Sequence, residues 1–150
     1  MRMESHGIDV DVPQGWDGEI YRRSPEEVGG ETLPVMHLAN FPLPAERGDF
    51  GSGAVEMMRS DSVLIALAEF GPESVGTALF SREGFPLVDA EDFAPDQMQR
   101  PMAGQSGAQY FFTENGRTFC LYVALGSHSR RRELVPEVNQ LLETVRVTLS

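Results

Sequence analysis

The stretch QYFFTENGRTFCLYVAL, residues 109–125, decides the fold that we expect for this chain. Two runs rich in aromatic and β-branched residues flank Asn115-Gly116. A two-residue Asn-Gly loop is the strongest short-range signal for a β-hairpin, because both residues of a type I′ turn need positive φ angles. The loop length also fixes the register. The expected opposite pairs are Glu114 with Arg117, Thr113 with Thr118, Phe112 with Phe119, Tyr110 with Leu121, and Ala108 with Val123.

Side chains alternate between the two faces of this hairpin, and the faces differ in character. The more apolar face carries Ala108, Tyr110, Phe112, Phe119, Leu121, Val123 and Leu125. We expect the amphipathic segment at residues 133–147 to cover it. The other face places Phe111, Cys120 and Tyr122 among polar side chains. Either residues 81–107 or a partner would have to cover that second face.

Four further strands are predicted, at residues 8–12, 18–23, 33–41 and 63–70, from alternating or continuous apolar patterns. A polar loop is expected at residues 24–31. Together with the hairpin, these strands predict a twisted, mainly antiparallel sheet.

The end of the chain completes this prediction with a helix. Apolar side chains at helical spacing predict a helix over residues 133–144, with Pro136 in its first turn. Short helical segments are expected at 72–80 and 95–100, and an edge strand at 145–149. The sequence thus predicts one α+β domain over residues 1–150, in which a C-terminal helix and short helical segments flank the sheet.

Residues 81–107 show no sustained periodicity and contain three prolines. Unstructured segments of this length are uncommon in compact domains. Two interpretations follow: a functional lid, or structural elements that the pattern hides.

Charge narrows the functional classes. The formal net charge is −11, and all twelve basic residues are arginine. Without lysine, the chain lacks the amine that a P-loop, a protein kinase or a Schiff-base enzyme requires. An acidic surface repels nucleic acid. The excess of acidic residues either keeps the protein soluble or forms a surface that binds another protein with a basic surface. A homodimer is an alternative to a different partner protein.

A single cysteine excludes an intramolecular disulfide and a cysteine-cluster metal site. The first ten residues lack the apolar core of a signal peptide, and no apolar run is long enough to span a membrane. The expected location is cytoplasmic, with no membrane partner.

No motif predicts catalysis, a metal or a cofactor. His6, His37 and His128 lack metal-ligand spacing. Ser106 lies in a sequence close to a nucleophile elbow, but it precedes a strand where an elbow serine follows one. Cys120 lies in mid-strand, where a buried structural thiol is expected.

The connection to the helix is the most concentrated polar feature, and it precedes a helix N-terminus, which attracts anions. It therefore predicts a ligand or anion site formed by Ser127, His128, Ser129, Arg130, Arg131 and Arg132. The alternatives are a solvated basic loop and a contact with the acidic part of the chain.

Aromatic and methionine side chains lie outside the predicted core, where they are typical of adaptable binding surfaces. The predicted interaction surface consists of Trp16, Phe50, Met98, Met102, Phe111 and Tyr122. Burial under the long segment is the competing interpretation.

Two motifs carry a resemblance: V-x-V-P-x-G-W at residues 10–16 and VNQLLETVRV at 138–147. With them the chain resembles a family of small uncharacterised actinobacterial proteins. More loosely, it resembles the Mog1/PsbP-like α/β sandwich, in which helices flank an antiparallel sheet. That superfamily consists mainly of non-enzymatic protein binders, including effector chaperones, so the resemblance implies a binding role and supplies no site.

The functional hypothesis is therefore a non-catalytic protein-interaction module: an adaptor, an effector chaperone or an acidic immunity-type protein. The alternative is a small-ligand or anion binder that uses residues 127–132, with 81–107 as a lid. A hydrolase with a dispersed site ranks third.

Overall fold

The computed structural model describes residues 1–22 and 33–149. Its elements, in chain order, are β1 (Arg2–Ser5), β2 (Ile8–Asp11), β3 (Asp17–Arg22), β4 (Pro34–Ala39), β5 (Val63–Glu69), β6 (Ser106–Glu114), β7 (Arg117–Leu125), α1 (Arg131–Leu142) and β8 (Arg146–Val147). Short 3-10 turns lie between them, including Pro72–Ser74, Ala78–Phe80 and Pro95–Gln97. The loop predicted at 24–31 lies outside the described residues.

The strands form two sheets. Strands β1, β2 and β8 form a three-stranded sheet, and the other five form a sheet in the order β3-β4-β5-β7-β6. Every strand pairing in both sheets is antiparallel. The α+β class, with its antiparallel strands, C-terminal helix and short helical turns, is confirmed.

The hairpin of β6 and β7 has the register that its turn predicts. Glu114 lies opposite Arg117, and the pairing continues through Tyr110 and Leu121 to Ser106 and Leu125. Asn115 and Gly116 have φ angles of 51° and 77°. Both turn residues are thus in the left-handed region that a type I′ turn requires.

The side of the five-stranded sheet that carries Phe112, Phe119 and Leu121 is called the helix face here. It shares one continuous core with apolar residues of α1 and of the three-stranded sheet, among them Leu134, Val138, Leu141, Ile8 and Val10. The predicted cover of this face is therefore confirmed. Full burial of each such side chain contributes about 1.5–3 kcal/mol.

The predicted start of the helix is wrong. Helix α1 begins at Arg131, so Pro136 is its sixth residue and does not lie in the first turn. Proline cannot donate the N–H that would otherwise bond to the carbonyl of Arg132. Because Arg132 is only the second helical residue, the lost bond lies at the end of the helix. Burial of Leu134, Val135 and Val138 offsets that loss.

Strand β1 was not predicted from the sequence, and it forms a hairpin with β2 through a second two-residue turn. His6 and Gly7 have φ angles of 51° and 76°, nearly the values of Asn115-Gly116. Arg117 fastens this turn to the long hairpin: its Nη2 donates to the carbonyl of His6 at 3.1 Å and its Nη1 to that of Gly7 at 3.2 Å. The Arg117 guanidinium also forms an ion pair with Glu69 at 2.7 Å.

Residues 81–107 wrap around the edge of the five-stranded sheet. The segment bridges β6 at Thr113 and at Gly107. Val88 and Phe93 are buried in the helix-face core. The backbone of Val88 is also held by the Asn139 amide, which accepts from its N–H at 2.9 Å and donates to its carbonyl at 2.8 Å. The segment therefore contains structural elements that the sequence pattern hides, and its use as a lid stays a prediction.

None of the helices in the described ranges is long and apolar enough to cross a membrane.

Candidate functional site

The second side of the five-stranded sheet, which carries Leu64, Ala66 and Tyr122, is called the loop face here. Two loop segments cover it. The first contributes Phe41, Phe50, Ala54 and Val55, and the second contributes Met98 and Met102. The sequence did not decide whether residues 81–107 or a partner covers this face. In the structure the chain itself covers it, partly with residues 81–107.

The predicted interaction surface is wrong for two of its members. Tyr122 is 0% exposed and Met98 only 5% exposed, because both pack inside the loop-face core. The hydroxyl of Tyr122 accepts from the N–H of Gln99 at 3.0 Å. Phe50 and Met102 are partly buried against the same core, so burial under the loops, the competing interpretation, describes this group.

Phe111 lies at the other end of the sheet, in a group of three rings. Its ring centroid is 5.8 Å from that of Phe80 and 6.5 Å from that of Phe70. The side chain is half-buried. The structure therefore places Phe111 apart from Phe50 and Tyr122.

The predicted anion loop precedes α1 as expected, but its arginines already have intramolecular partners. Arg130 forms an ion pair with Glu133 at 3.0 Å, and Arg132 pairs with Glu91. Arg131 donates to the carbonyl of His128 at 3.0 Å. Ion pairs this exposed contribute at most about 1 kcal/mol each to stability. The binding of an anion at residues 127–132 therefore stays a prediction.

The same loop contains the two serines of the predicted site. The hydroxyls of Ser127 and Ser129 lie 3.0 Å apart and share a hydrogen bond. The N–H of His128 donates to the carbonyl of Gly104 at 2.7 Å, which fastens the loop to the start of β6. Residues 127–132 therefore form a connection between β7 and α1 that is held in place by hydrogen bonds.

A buried histidine is the centre of a polar network on the loop face. Nδ1 of His37 accepts from Nε of Arg47 at 2.7 Å, and Nε2 lies 2.7 Å from the carbonyl oxygen of Asp49. A guanidinium only donates, so the ring proton resides on Nε2 and is donated to that carbonyl. Burial lowers the pKa of His37, which favours the neutral ring. With both nitrogens engaged, His37 is unsuited to proton transfer or metal binding.

The network continues through a tyrosine and an ion pair. The hydroxyl of Tyr21 donates to Oδ1 of Asp49 at 2.8 Å. Burial, reinforced by that carboxylate, raises the pKa of Tyr21 and keeps it protonated. Arg47 pairs with Glu19 on the same face. These contacts fix the loop at residues 47–50 onto β3 and β4.

The other two candidate nucleophiles, Ser106 and Cys120, are both buried in the five-stranded sheet. Ser106 is buried, and its hydroxyl has no hydrogen-bond partner in the described part of the chain. Cys120 is a buried thiol that forms no disulfide. Within residues 1–22 and 33–149, no group of three or more histidine, cysteine or acidic residues is placed to hold a metal ion.

Trp16 lies in a groove between the β2–β3 connection and α1. The cavity there measures about 530 Å³, and its lining combines the apolar side chains of Val12, Pro13, Trp16 and Leu141 with the carboxylates of Asp11 and Glu137. A second cavity of about 520 Å³ adjoins it, because both are lined by Asp11, Gln140 and Thr144. The two cavities form one surface, which we call the Trp16 groove.

The Trp16 groove is lined by four acidic residues and by three residues that carry positive charge, Met1, Arg2 and Arg146. Asp9 is paired with Arg2, whose Nε lies 2.9 Å from the carboxylate. No ion pair forms at Asp11, Glu137 or Glu143 within the described ranges. Met1 also lines the groove, and its amino group donates to the carbonyl of Val12 at 2.7 Å.

Comparison of the chain with protein-family models, with curated proteins and with solved structures gives no match.

Sequence reasoning found Trp16 but missed the groove beside it and the network around His37. The network joins residues from two strands and a loop: Tyr21, His37, Arg47 and Asp49. Their spacing in the sequence does not predict that they are in contact. The groove needs the contact between β2 and α1, which lie more than a hundred residues apart. Just after α1 ends, the hydroxyl of Thr144 ties the chain to β2 by accepting from the N–H of Asp11 at 3.2 Å.

Proposed function

We propose that this chain is a non-catalytic protein-interaction module that binds a basic segment of a partner protein in the Trp16 groove. The observation that carries the proposal is a half-buried tryptophan beside carboxylates that lack ion-pair partners. Tryptophan is among the residues that most often dominate the energy of an interface.

Charge supports a basic partner. The whole chain carries a net charge of −11, so its field attracts cationic surfaces at low salt. Within the groove, Asp11 and Glu137 flank the apolar floor, where an arginine or lysine can pair with a carboxylate and stack on the indole ring. The engaged nitrogens of His37 and the buried Cys120 support a role without catalysis.

The test uses Trp16 as its own reporter, because the chain has no other tryptophan. A short arginine-rich peptide is titrated into the protein while the indole fluorescence is followed. We expect a saturable change that weakens with added salt, since exposed charge pairs are screened. A peptide in which glutamine replaces every arginine should leave the fluorescence unchanged.

Two matched variants locate the interaction. Glu137→Gln removes a groove carboxylate and should weaken the peptide about threefold, as expected for one rim charge. Glu73→Gln removes an exposed carboxylate outside the groove and should leave the affinity unchanged. Equal affinity for the glutamine peptide, or an equal loss in both variants, would refute the proposal.

A further inference from the structure

A separate cavity of about 310 Å³ lies over the loop face. Residues 48–52 form one wall, Gln99 and Arg100 form another, and Tyr122 of β7 contributes the floor. None of its lining residues lines the Trp16 groove. The volume is at the lower end of the range for small-molecule sites, about 300–1,000 Å³.

The cavity contains one carboxylate that no cation neutralises. Arg47, which donates to His37, pairs with Glu19, and Arg100, which lines the cavity, pairs with Glu56 at 2.6 Å. Asp49 forms no ion pair in the described part of the chain. Its Oδ1 accepts from Tyr21, and no described group donates to Oδ2.

Two aromatic rings accompany this carboxylate. The rings of Phe50 and Tyr122 are nearly perpendicular, at 83°, with their centroids 6.1 Å apart. The hydroxyl of Tyr122 is already used, since it accepts from Gln99 and donates to the sulfur of Met98. Tyr122 therefore offers no polar group to a ligand, and its buried ring supports that of Phe50 from below. A carboxylate beside aromatic rings attracts an organic cation through both charge and the ring quadrupole.

The wall that carries Asp49 is held in place before any ligand arrives. The carbonyl oxygen of Asp49 is bound by His37, and its carboxylate by Tyr21. Gly51 has a φ of +93°, and a Cβ there would lie 2.2 Å from Cδ2 of Leu64, so only glycine lets the loop pack this closely on β5. A preorganised wall lowers the entropic cost of binding.

We infer that this cavity binds a small organic cation, an amine or guanidinium compound with an apolar body, whose charge pairs with Asp49 and whose body packs against the ring of Phe50. The site goes beyond the proposed function, because it lies on the opposite side of the five-stranded sheet from the Trp16 groove.

Three probes with one carbon skeleton test the inference by calorimetric titration of the full chain. Phenethylamine is cationic, 2-phenylethanol is its neutral counterpart, and phenylacetate is anionic. We expect phenethylamine to bind with a Kd below about 1 mM and the other two to bind at least tenfold more weakly, because only the amine can pair with the carboxylate.

Variants place the binding in this cavity. Asp49→Asn removes the charge but keeps an oxygen that accepts from Tyr21, so the loop should remain in place. It should weaken phenethylamine at least tenfold. Asp61→Asn, an identical change at a residue that does not line the cavity, should leave the affinity unchanged.

The inference is overturned if phenethylamine does not bind, if 2-phenylethanol binds equally well, or if the two asparagine variants behave alike. The peptide titration of Trp16 separates this result from the proposed function. Asp49→Asn should leave the arginine-rich peptide bound as in the parent chain, whereas Glu137→Gln should leave phenethylamine unaffected.

Discussion

The two faces of the five-stranded sheet are covered in different ways. On the helix face, α1 and the three-stranded sheet pack regular elements against Phe112, Phe119 and Leu121. On the loop face, segments without long regular structure lie over Leu64, Ala66 and Tyr122, and a buried polar network fastens them to the strands. Strands β4, β5 and β7 supply alternate residues to the cores on both faces.

The difference concerns what holds each cover in place. The helix-face cover depends on apolar area, which is non-directional and tolerates exchange among residues of similar volume. The loop-face cover depends on directional bonds to His37, Asp49 and Tyr122, together with glycines at positive φ. Loops can relax around a lost side chain more easily than a helix and a sheet can. Matched substitutions on the two faces should therefore differ in cost.

The largest expected effect compares two buried leucines. Leu121→Ala on the helix face should lower the free energy of unfolding by about 4 kcal/mol, and Leu64→Ala on the loop face by about 2–3 kcal/mol, because the loops can partly collapse into the cavity. Both side chains are 0% exposed, so the comparison holds burial constant. Urea unfolding measures both values. A loss at Leu64 as large as that at Leu121 would show that the loop face is equally rigid.

A smaller effect sharpens the role of the glycine-rich loop. Gly51 and Gly84 have similar φ angles, +93° and +88°, but only Gly51 is close to another side chain. Gly84→Ala should cost about 1 kcal/mol for the strained backbone alone. Gly51→Ala adds the clash with Leu64 and should cost about 2–3 kcal/mol in total. Thermal unfolding of the pair provides the check, and equal costs would mean that the loop shifts freely.

The smallest expected effect is a pH dependence that belongs to the loop face. Because burial lowers the pKa of His37, the unfolded chain takes up a proton at this residue before the folded chain does. Its contribution to stability is complete above about pH 6.5 and declines as the pH falls below that value, by at most about 1.4 kcal/mol per pH unit.

His37→Gln provides the reference for that measurement. Subtracting its unfolding free energies from those of the parent chain between pH 7.5 and about pH 5 isolates the histidine from the many carboxylates. A difference that stays constant with pH would contradict a buried neutral His37.

Sequence reasoning was most successful on the helix face because that face is built from periodic elements. The Asn115-Gly116 turn determined the register of the long hairpin, and helical spacing located α1 to within two residues at its start. The start was misplaced because Pro136 was assumed to require the first turn. The hairpin at His6-Gly7 was missed because histidine is a weaker turn signal than asparagine.

The loop face was largely beyond sequence reasoning. Residues 81–107 have no period because they alternate between the two cores, with Val88 and Phe93 buried on the helix face and Met98 on the loop face. The sequence flagged Phe50 and Tyr122 individually. It could not show that they line one cavity with Asp49, which depends on how the loop at 47–50 folds back onto β4.

The sequence by itself thus determined the α+β class, the long hairpin with its register, and the helix that covers one face, because local turn chemistry and the periodicity of apolar residues encode these features. The tertiary structure decided the division into two sheets, the cover of the loop face and both candidate binding sites. Each of those arises where residues distant in the chain meet, and contacts of that kind leave no local pattern in the sequence.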